Sequence, residues 1–526
     1  MSEVESERDP PLRIEELLQA DAFAHPVAGP RLVETHISWV VLTGSLAYKI
    51  KKPVKLGFID TSTLELRRHY CNEEVRLNRR LAPDLYLDVV PITRERDRVR
   101  VSGQGNVIEY AVRMKQFPTE HQLDALLDRR EVSLQEIEQL GELLARFHQH
   151  APSLPPSPDF ALTQRMYQSV LDNLEQLSEH ARQRLAADQL QRFSDWTRSA
   201  MRANQTAFER RESNGRIRDG HGDLHGANIV RIDGRLVPFD CIDFDPRLRQ
   251  IDVMNDLAFL IMDLQSRDRQ DLSTALLNRY LEITGDYEGV RLVPFYAIYR
   301  ALVRAKVDAI AIQQSPAEAQ RLTERFQRRI DTALRLMQQP SPTLLLMHGP
   351  SGSGKSWLSE QLVPLVPALR IRSDLERRRL LGNARPDEET GFGTGRYAAE
   401  TRRRIYAHMI ECAEHCLRAG FDVIVDAAFL DAADRETFER LADRTGAACA
   451  FISCHADEAT LLERVSARAA RGRDVSEADR DVVTAQLRTF QPLSARPGRR
   501  IIEADTRDPA VTRTVVEKIK AMMAKP

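Results

Sequence analysis

Cysteine is scarce in this chain of 526 residues: there are six, Cys71, Cys241, Cys412, Cys416, Cys449 and Cys454. That scarcity argues against a disulfide scaffold. Cys412 and Cys416 stand four apart in a helical pattern and could share a face. No second pair lies near them, and a structural metal site needs about four ligands, so helix packing is their expected role. Cys454-His455 fails as a metal motif for the same reason. Net charge is missing too. The 76 Lys+Arg and 77 Asp+Glu leave −1, which gives no global attraction to nucleic acid or an anionic membrane. No run of about 18 apolar residues is present, so no membrane span is expected. The start, MSEVESERDPP, is acidic and polar, unlike a secretory signal. A cytoplasmic enzyme is the default. No repeat at the 20–50-residue scale is visible.

What is present reads as globular: 42% hydrophobic and 29% charged residues. The length predicts two or three domains. Residues 1–30 read as a mobile start and a short helix around Arg13–Ala22. Strands are predicted at Ile37–Leu42, Leu46–Ile50, Leu87–Ile92, Arg98–Ser102 and Val107–Met114, with one helix over 62–80. An N-lobe of about 31–115 is therefore mostly β. A helical lobe of about 116–337 follows, including an amphipathic helix over Ser133–His150. Inside it, Ile229–Ile232 and Leu236–Ile242 flank Asp233-Gly234, a hairpin signature. Residues 338–342 (Gln-Gln-Pro-Ser-Pro) read as a linker. From 343 to 526 the predicted strands Thr343–His348, Ala368–Arg372, Asp422–Asp426, Ala448–Ser453 and Arg500–Glu503 alternate with helices. That alternation predicts a parallel α/β sheet with flanking helices.

Two motifs carry chemistry. The first is His221-Gly222-Asp223-Leu224-His225-Gly226-Ala227-Asn228. Phosphoryl transfer to a hydroxyl needs an acceptor for its proton, ligands for Mg²⁺ and a cation on the ATP phosphates. Asp223 suits the first role and Asn228 the second. The hairpin returns the chain to Asp240-Cys241-Ile242-Asp243-Phe244-Asp245, where a carboxylate can complete the metal shell.

This set resembles the aminoglycoside phosphotransferase family, part of the protein-kinase-like fold, over roughly residues 30–335. The resemblance implies Asp223 as catalytic base, Asn228 and Asp243 as metal ligands, and Asp256 as a brace for the loop, with Asp240 the alternative to Asp243. It implies Lys49 on the α and β phosphates and Glu74 as its helix partner, with Glu73 next; the alternative is an ordinary surface lysine, since Lys51, Lys52 and Lys55 are all close. Tyr110–Lys115 would be the hinge that reads adenine. No Gly-x-Gly-x-x-Gly precedes Lys49. Thr35-His36-Ile37-Ser38 and Gly44 are the candidates to cover the phosphates. Arg300, Arg304 and Lys306 could hold an anionic substrate, or be a solvated or salt-bridged helix face.

The second motif is Gly349-Pro350-Ser351-Gly352-Ser353-Gly354-Lys355-Ser356, between a predicted strand and a predicted helix, the context of a P-loop. Its backbone N–H groups and the helix N-terminus favour phosphate. Lys355 reaches the terminal phosphates, and Ser356 coordinates Mg²⁺. Asp426 ends a Walker-B-like strand and is the expected carboxylate near Mg²⁺. Ala427 follows it where a motor ATPase usually places a glutamate. Arg464, Arg468, Arg471 and Arg473, before Ser476-Glu477-Ala478, resemble the arginine lid of small P-loop kinases such as the gluconate, shikimate and polynucleotide kinase groups. That resemblance makes Asp374 the residue that orients or deprotonates the acceptor hydroxyl and Arg468 a stabiliser of transferring charge. The alternatives are a helix cap for Asp374 and a basic helix face for the arginines.

The expected architecture is an α+β protein-kinase-like domain followed by an α/β P-loop domain. The two-domain order resembles bacterial proteins that join these parts. Both sites would use ATP and Mg²⁺ and phosphorylate small-molecule hydroxyls. One alternative makes the P-loop part a regulatory module for the first. Another makes it a nucleic-acid 5′-hydroxyl kinase, against which the balanced charge and the lack of basic–aromatic clusters weigh.

Overall fold

In a computed structural model the protein is described over residues 10–27, 29–57, 59–154, 162–338, 341–382, 399–471, 480–494, 496 and 499–523. Two compact units emerge. One comprises Met1–Leu140, Phe147–Pro155 and Gly215–Asp256; the other comprises Gly141–Arg146, Pro156–Asn214 and Leu257–Pro526.

The first unit is built on an antiparallel sheet of β1 (Arg31–Glu34), β2 (Ser38–Leu42), β3 (Leu46–Lys51), β4 (Tyr86–Glu95), β5 (Arg98–Val101) and β6 (Asn106–Lys115). Its order is β1-β2-β3-β6-β4-β5. Helix α1 (Leu64–Asn78) crosses one face. Thr63 starts it by accepting the Leu66 N–H at 3.3 Å, as an N-cap should. Ala47, Val112 and Met114 of the sheet pack with Cys71 and Val75 of α1. Side chains alternate along a strand, so Lys49 and Lys51 share the Ala47 face and point toward α1. The opposite face is covered by Ile14, Leu17, Ala22 and Phe23. These lie on and beside two short 3₁₀ turns, Ile14–Leu18 and Ala20–Ala22, in place of the expected single helix. The start expected to be mobile, residues 1–9, lies outside the described residues.

The rest of this unit frames the His-Gly-Asp loop. β7 (Ile217–Asp219) enters it, and the hairpin of β8 (Ile229–Ile232) and β9 (Arg235–Pro238) leaves it. Asp233 and Gly234 both have positive φ, 48° and 74°, as a two-residue hairpin turn requires. β10 (Gln250–Asp252) pairs antiparallel with β7. That pairing, not foreseen in the sequence, brings the entrance of the loop beside the chain leading to Asp256.

The second unit contains α3 (Leu162–His180), α4 (Ala187–Ser213), most of α5 (Val253–Gln265), α6 (Gln270–Thr284), α7 (Val293–Gln314) and α8 (Ala319–Met337), after α2 (Leu134–His150) earlier in the chain. It also contains a parallel sheet of β11 (Thr343–His348), β12 (Ala368–Arg372), β13 (Asp422–Asp426), β14 (Ala448–His455) and β15 (Arg500–Asp505). Strand order is β12-β13-β11-β14-β15. Flanking helices are α9 (Lys355–Leu362), α10 (Ser373–Leu381), α11 (Ala399–Arg418), α12 (Ala432–Thr445), α13 (Glu458–Arg471), α14 (Arg480–Thr489) and α15 (Val511–Met523). Leu345, Met347, Ile424, Ala450 and Ile452 pack with Leu358 of α9 and Val515 of α15. The free side of β12 is capped by Asn278 of α6. Its amide donates to the Ala368 carbonyl at 2.9 Å and accepts the Arg370 N–H at 2.7 Å.

Candidate active sites

The first site grows from the loop after β7. Gly222 has φ 87°, and a Cβ there would lie 2.8 Å from the Leu248 carbonyl, so this tight turn needs glycine. Asp256, buried, accepts the backbone N–H groups of His221 at 2.7 Å and Gly222 at 3.0 Å. Burial raises its carboxyl, but His148 at 3.2 Å and His221 outweigh that and hold it at about 2. The loop is therefore clamped by a carboxylate that stays ionised. The Asn228 amide nitrogen donates to Asp223 twice, to its carbonyl at 3.0 Å and its Oδ2 at 2.8 Å. That spends the nitrogen and leaves the amide oxygen as the atom able to face a cation. His225 Nε2 lies 3.3 Å from Asp223 Oδ2.

The lysine face of β3 meets α1 and the segment after β9. Lys49 Nζ is 2.7 Å from Glu74 and 2.6 Å from Asp240. Lys51 Nζ is 2.6 Å from the other Glu74 oxygen and 2.5 Å from Asp243. Burial raises the Glu74 carboxyl, yet the two lysines outweigh it and hold it below the usual carboxylate range. Glu73 pairs instead with Arg76. The two aspartates differ in surroundings. The Asp243 side chain is 7% exposed and committed to Lys51. The Asp240 side chain is 45% exposed, in a left-handed backbone conformation, φ 59°, that few non-glycine residues adopt. The Asp240 N–H donates to the Tyr86 hydroxyl at 3.1 Å. The preceding Phe239 N–H donates to the Asn228 carbonyl at 2.9 Å. Asp240, not Asp243, is thus the solvent-reaching carboxylate beside Lys49.

Two supporting expectations shift. β6 is an interior strand, paired to β3 on one side and β4 on the other. The sheet engages the backbone of the expected hinge, Tyr110–Lys115, and the Gln116 N–H beyond it donates to the Ser45 carbonyl at 3.0 Å. There the Gly44 N–H donates to Gln116 Oε1 at 2.8 Å, so Gly44 belongs to the hinge end of the sheet. The β1–β2 turn, Thr35–Ile37, lies at the lysine end, where Ser38 pairs with Lys51.

In the second unit the P-loop follows β11. Gly352 has φ 82°, and a Cβ there would lie 2.7 Å from the Leu461 carbonyl. Gly354 precedes α9, and the Lys355 ammonium donates to the Pro350 carbonyl at 2.8 Å. β13 is the immediate neighbour of β11, which brings Asp426 to Ser356. Its Oδ1 accepts from the Ser356 hydroxyl at 3.2 Å, and its Oδ2 from Ser359 at 3.1 Å and Arg370 at 2.9 Å. Arg370 also donates to the Ser356 carbonyl at 3.1 Å. Arg372 pairs in register with Asp426, and Asp374 lies two residues further on, in the first turn of α10. Burial raises the Asp374 carboxyl, Arg377 opposes this and Asp426 adds to it. The residues therefore converge at the carboxyl ends of the strands where the order reverses, the usual ligand crevice of such sheets. The Ser351 N–H donates to Gln486 Oε1 at 2.8 Å.

Compared with known proteins, residues 71–293 match the Phosphotransferase enzyme family and residues 344–493 match an AAA domain. An uncharacterized protein of Mycobacterium tuberculosis, Rv2004c, is 31% identical over 460 residues, covering 86% of this chain and 90% of its own length. An uncharacterized protein of Mycobacterium bovis matches to the same extent. The chain belongs to a bacterial family that joins an aminoglycoside phosphotransferase-like domain to a P-loop kinase-like domain. Among solved structures, a choline/ethanolamine kinase family protein from Mesorhizobium loti aligns over 60% of this chain and 93% of its own, at 15% identity and TM-score 0.33. A gluconokinase from Sinorhizobium meliloti aligns over 35% and 94%, at 20% identity and TM-score 0.26.

For this family member, sequence reasoning missed Lys51, Arg370 and Ser359. Lys51 carried a signal, its period-two spacing from Lys49. Arg370 carried another, a charge inside an otherwise apolar strand. Of the arginines expected to form a lid, only the Arg464 side chain is among the described residues. Arg464 does not reach outward but donates to Thr506 Oγ1 at 2.8 Å and to the Gly352 carbonyl at 3.4 Å, bracing the P-loop from behind. The side chains of Arg468 and Arg471 lie outside the described residues, as do Arg473 and Ser476-Glu477-Ala478. Arg300 is buried over the Phe259 ring at 4.7 Å, and Lys306 donates to Gln176 at 2.8 Å. Both are engaged in helix packing. Among the described residues, no helix is long and apolar enough to cross a membrane.

Proposed function

We propose that this protein is an ATP-dependent phosphotransferase with two catalytic domains, about 31–337 and 343–526, each transferring a phosphoryl group to a hydroxyl of a small molecule. The observation that carries the reading is the Asp223–Asn228 pair, tied through the Asn228 carbonyl to the Phe239 N–H one residue before Asp240, which pairs with Lys49 and through it with Glu74. Asp223 takes the proton of the acceptor hydroxyl. Asn228 orients it through its amide nitrogen and would offer its amide oxygen to Mg²⁺. Lys49 is shared between Glu74 and Asp240 and is the donor available to the ATP phosphates. Asp240 replaces Asp243 as the proposed metal carboxylate, because Asp243 is consumed by Lys51. The donor set of one amide oxygen and one exposed carboxylate fits Mg²⁺, which keeps several waters and phosphate oxygens as its remaining ligands. When bound, Mg²⁺–ATP supplies the phosphoryl group and neutralises its oxygens.

In the second site Lys355 and the P-loop N–H groups hold phosphate, while the Ser356 hydroxyl and Asp426 suit Mg²⁺. Asp374 is the proposed base; its raised carboxyl moves toward the operating pH, as a general base needs. Arg468 keeps its proposed charge-stabilising role.

The test is a metabolite screen for ATP-dependent phosphorylation by wild type, Asp223→Asn and Lys355→Ala. Each variant should lose one set of products and retain the other. Loss of all products in Lys355→Ala, with none traceable to its own site, would make the P-loop domain a regulator of the first. No phosphorylated product from wild type would reject the reading.

A further inference from the structure

Helices α10 and α11 converge three metal-ligating side chains that neither proposed reaction uses. Glu376 belongs to α10; His408 and Cys412 belong to α11. His408 Nε2 lies 3.1 Å from Glu376 Oε2 and 3.5 Å from Cys412 Sγ. The three donor atoms lie within 4.8 Å of one another. His408 and Cys412 are four apart, so one turn of helix stacks them on the same face. A zinc ion bonded at about 2.0–2.3 Å sets its ligand atoms roughly 3.2–3.7 Å apart, the edge of a tetrahedron being about 1.6 times the bond. The 3.1 and 3.5 Å separations sit close to that length.

The carboxylate is also held in a ligating pose. Its second oxygen, Oε1, accepts from Arg379 Nη1. Arg379 Nη2 in turn donates to the Glu282 carbonyl at 2.9 Å. An outer partner of this kind fixes a carboxylate as a one-oxygen ligand and orients it. Glu376 and Cys412 are buried, while the His408 side chain is 27% exposed. The cluster is therefore closed on one side and reachable on the other. Burial pushes the Cys412 thiol above its ordinary range.

We propose that Glu376, His408 and Cys412 form a zinc-class metal site, completed by water in the fourth position. Thiolate and imidazole donors favour such an ion over Mg²⁺. On binding, the Cys412 S–H bond breaks, its proton leaves to solvent, and the thiolate, the neutral His408 Nε2 and Glu376 Oε2 each form one bond to the cation. The partner of Cys412 is then His408, one turn before it, and not Cys416, one turn after. The ion staples α10 to α11. Asp374 sits in the first turn of α10, so the staple would steady the helix that carries it. The metal assignment itself does not depend on the reading of Asp374.

The test uses the full chain, stripped by chelator and titrated with Co²⁺ in excess Mg²⁺. Wild type should bind one equivalent with tetrahedral ligand-field absorption and a thiolate-to-cobalt charge-transfer band, both displaced by Zn²⁺. Cys412→Ser should lose the charge-transfer band, and His408→Ala should weaken binding about 10-fold or more. Cys416→Ala should keep both signals. If Cys412→Ser does not fold, the partly exposed His408→Ala carries the decision. Absence of a charge-transfer band in wild type, its survival in Cys412→Ser, or undiminished affinity in His408→Ala overturns the proposal.

Discussion

Replacing Lys51 by methionine should separate holding the first site together from handling phosphate. Methionine keeps the stem of the side chain and removes the ammonium. Lys51 is 1% exposed and touches two carboxylates, Glu74 at 2.6 Å and Asp243 at 2.5 Å. After the change Glu74 retains Lys49 at 2.7 Å, but Asp243 is left buried without its cation. Breaking a buried pair from one side costs about 3–5 kcal/mol, a large share of the roughly 5–15 kcal/mol that holds a domain. At about 2–4 °C per kcal/mol for a domain of this size, the transition of the first unit should fall by about 6–20 °C. Lys49→Met behaves differently. Its partner Asp240 is 45% exposed and rehydrates, and Glu74 keeps Lys51, so the loss should be about 1 kcal/mol. Its phosphotransfer should fall about 100-fold or more, because charge on the transferring group loses a preorganised partner. Calorimetric scans and initial rates on both variants decide the matter. The double variant Lys51→Met/Asp243→Asn should recover part of the lost stability by removing the orphaned charge. An unchanged transition in Lys51→Met, or normal turnover in Lys49→Met, would refute the reasoning.

Asp240→Asn should reduce kcat at the first site about 100-fold with little change in melting, whereas Asp243→Asn should act mainly on stability; the opposite pattern restores Asp243 as the metal ligand. Asp256, held at about 2 in the folded protein, contributes stability above its unfolded value of about 4, and that contribution is lost as pH falls from about 4 to 2. Asp256→Asn should flatten this part of the acid-denaturation curve and cost about 2–3 kcal/mol at neutral pH. His348, before the P-loop, is pushed down to about 4 by burial, Arg435 and Lys355. It stays neutral when folded while the unfolded chain takes up a proton below about 6.5, so stability of the second unit should fall from about pH 6.5 to 4 and not further on this account. His348→Gln should remove that slope in urea midpoints measured across the interval.

Much of this was legible because the determining signals are local. The strands Thr343–His348, Ala368–Arg372 and Asp422–Asp426 have the expected bounds, since short, mostly apolar runs between helices mark buried parallel strands. The loop residues Asp223 and Asn228 meet because they are neighbours in sequence. What was not legible depended on long-range register. Whether Asp240 or Asp243 reaches solvent is decided by which one Lys51 captures, and no spacing rule contains that pairing. The β7–β10 bridge is only three residues long on each side, too short to show a period. The Glu376–His408–Cys412 cluster joins two helices, and only its His408–Cys412 half has a helical spacing to be read.

The Asn278 amide on the rim of β12 has a practical consequence for dissecting the chain. A bare strand edge invites pairing with other molecules, and here one side chain occupies two of its backbone groups. That side chain lies within the stretch matched to the phosphotransferase family, whereas the strand lies within the stretch matched to the AAA domain. A fragment cut at the proline-rich segment would therefore expose its outermost strand and self-associate on purification. A fragment that retains the helix Gln270–Thr284 would keep that edge shielded, so expression boundaries are better set by the hydrogen bonds of the rim than by the limits of either family.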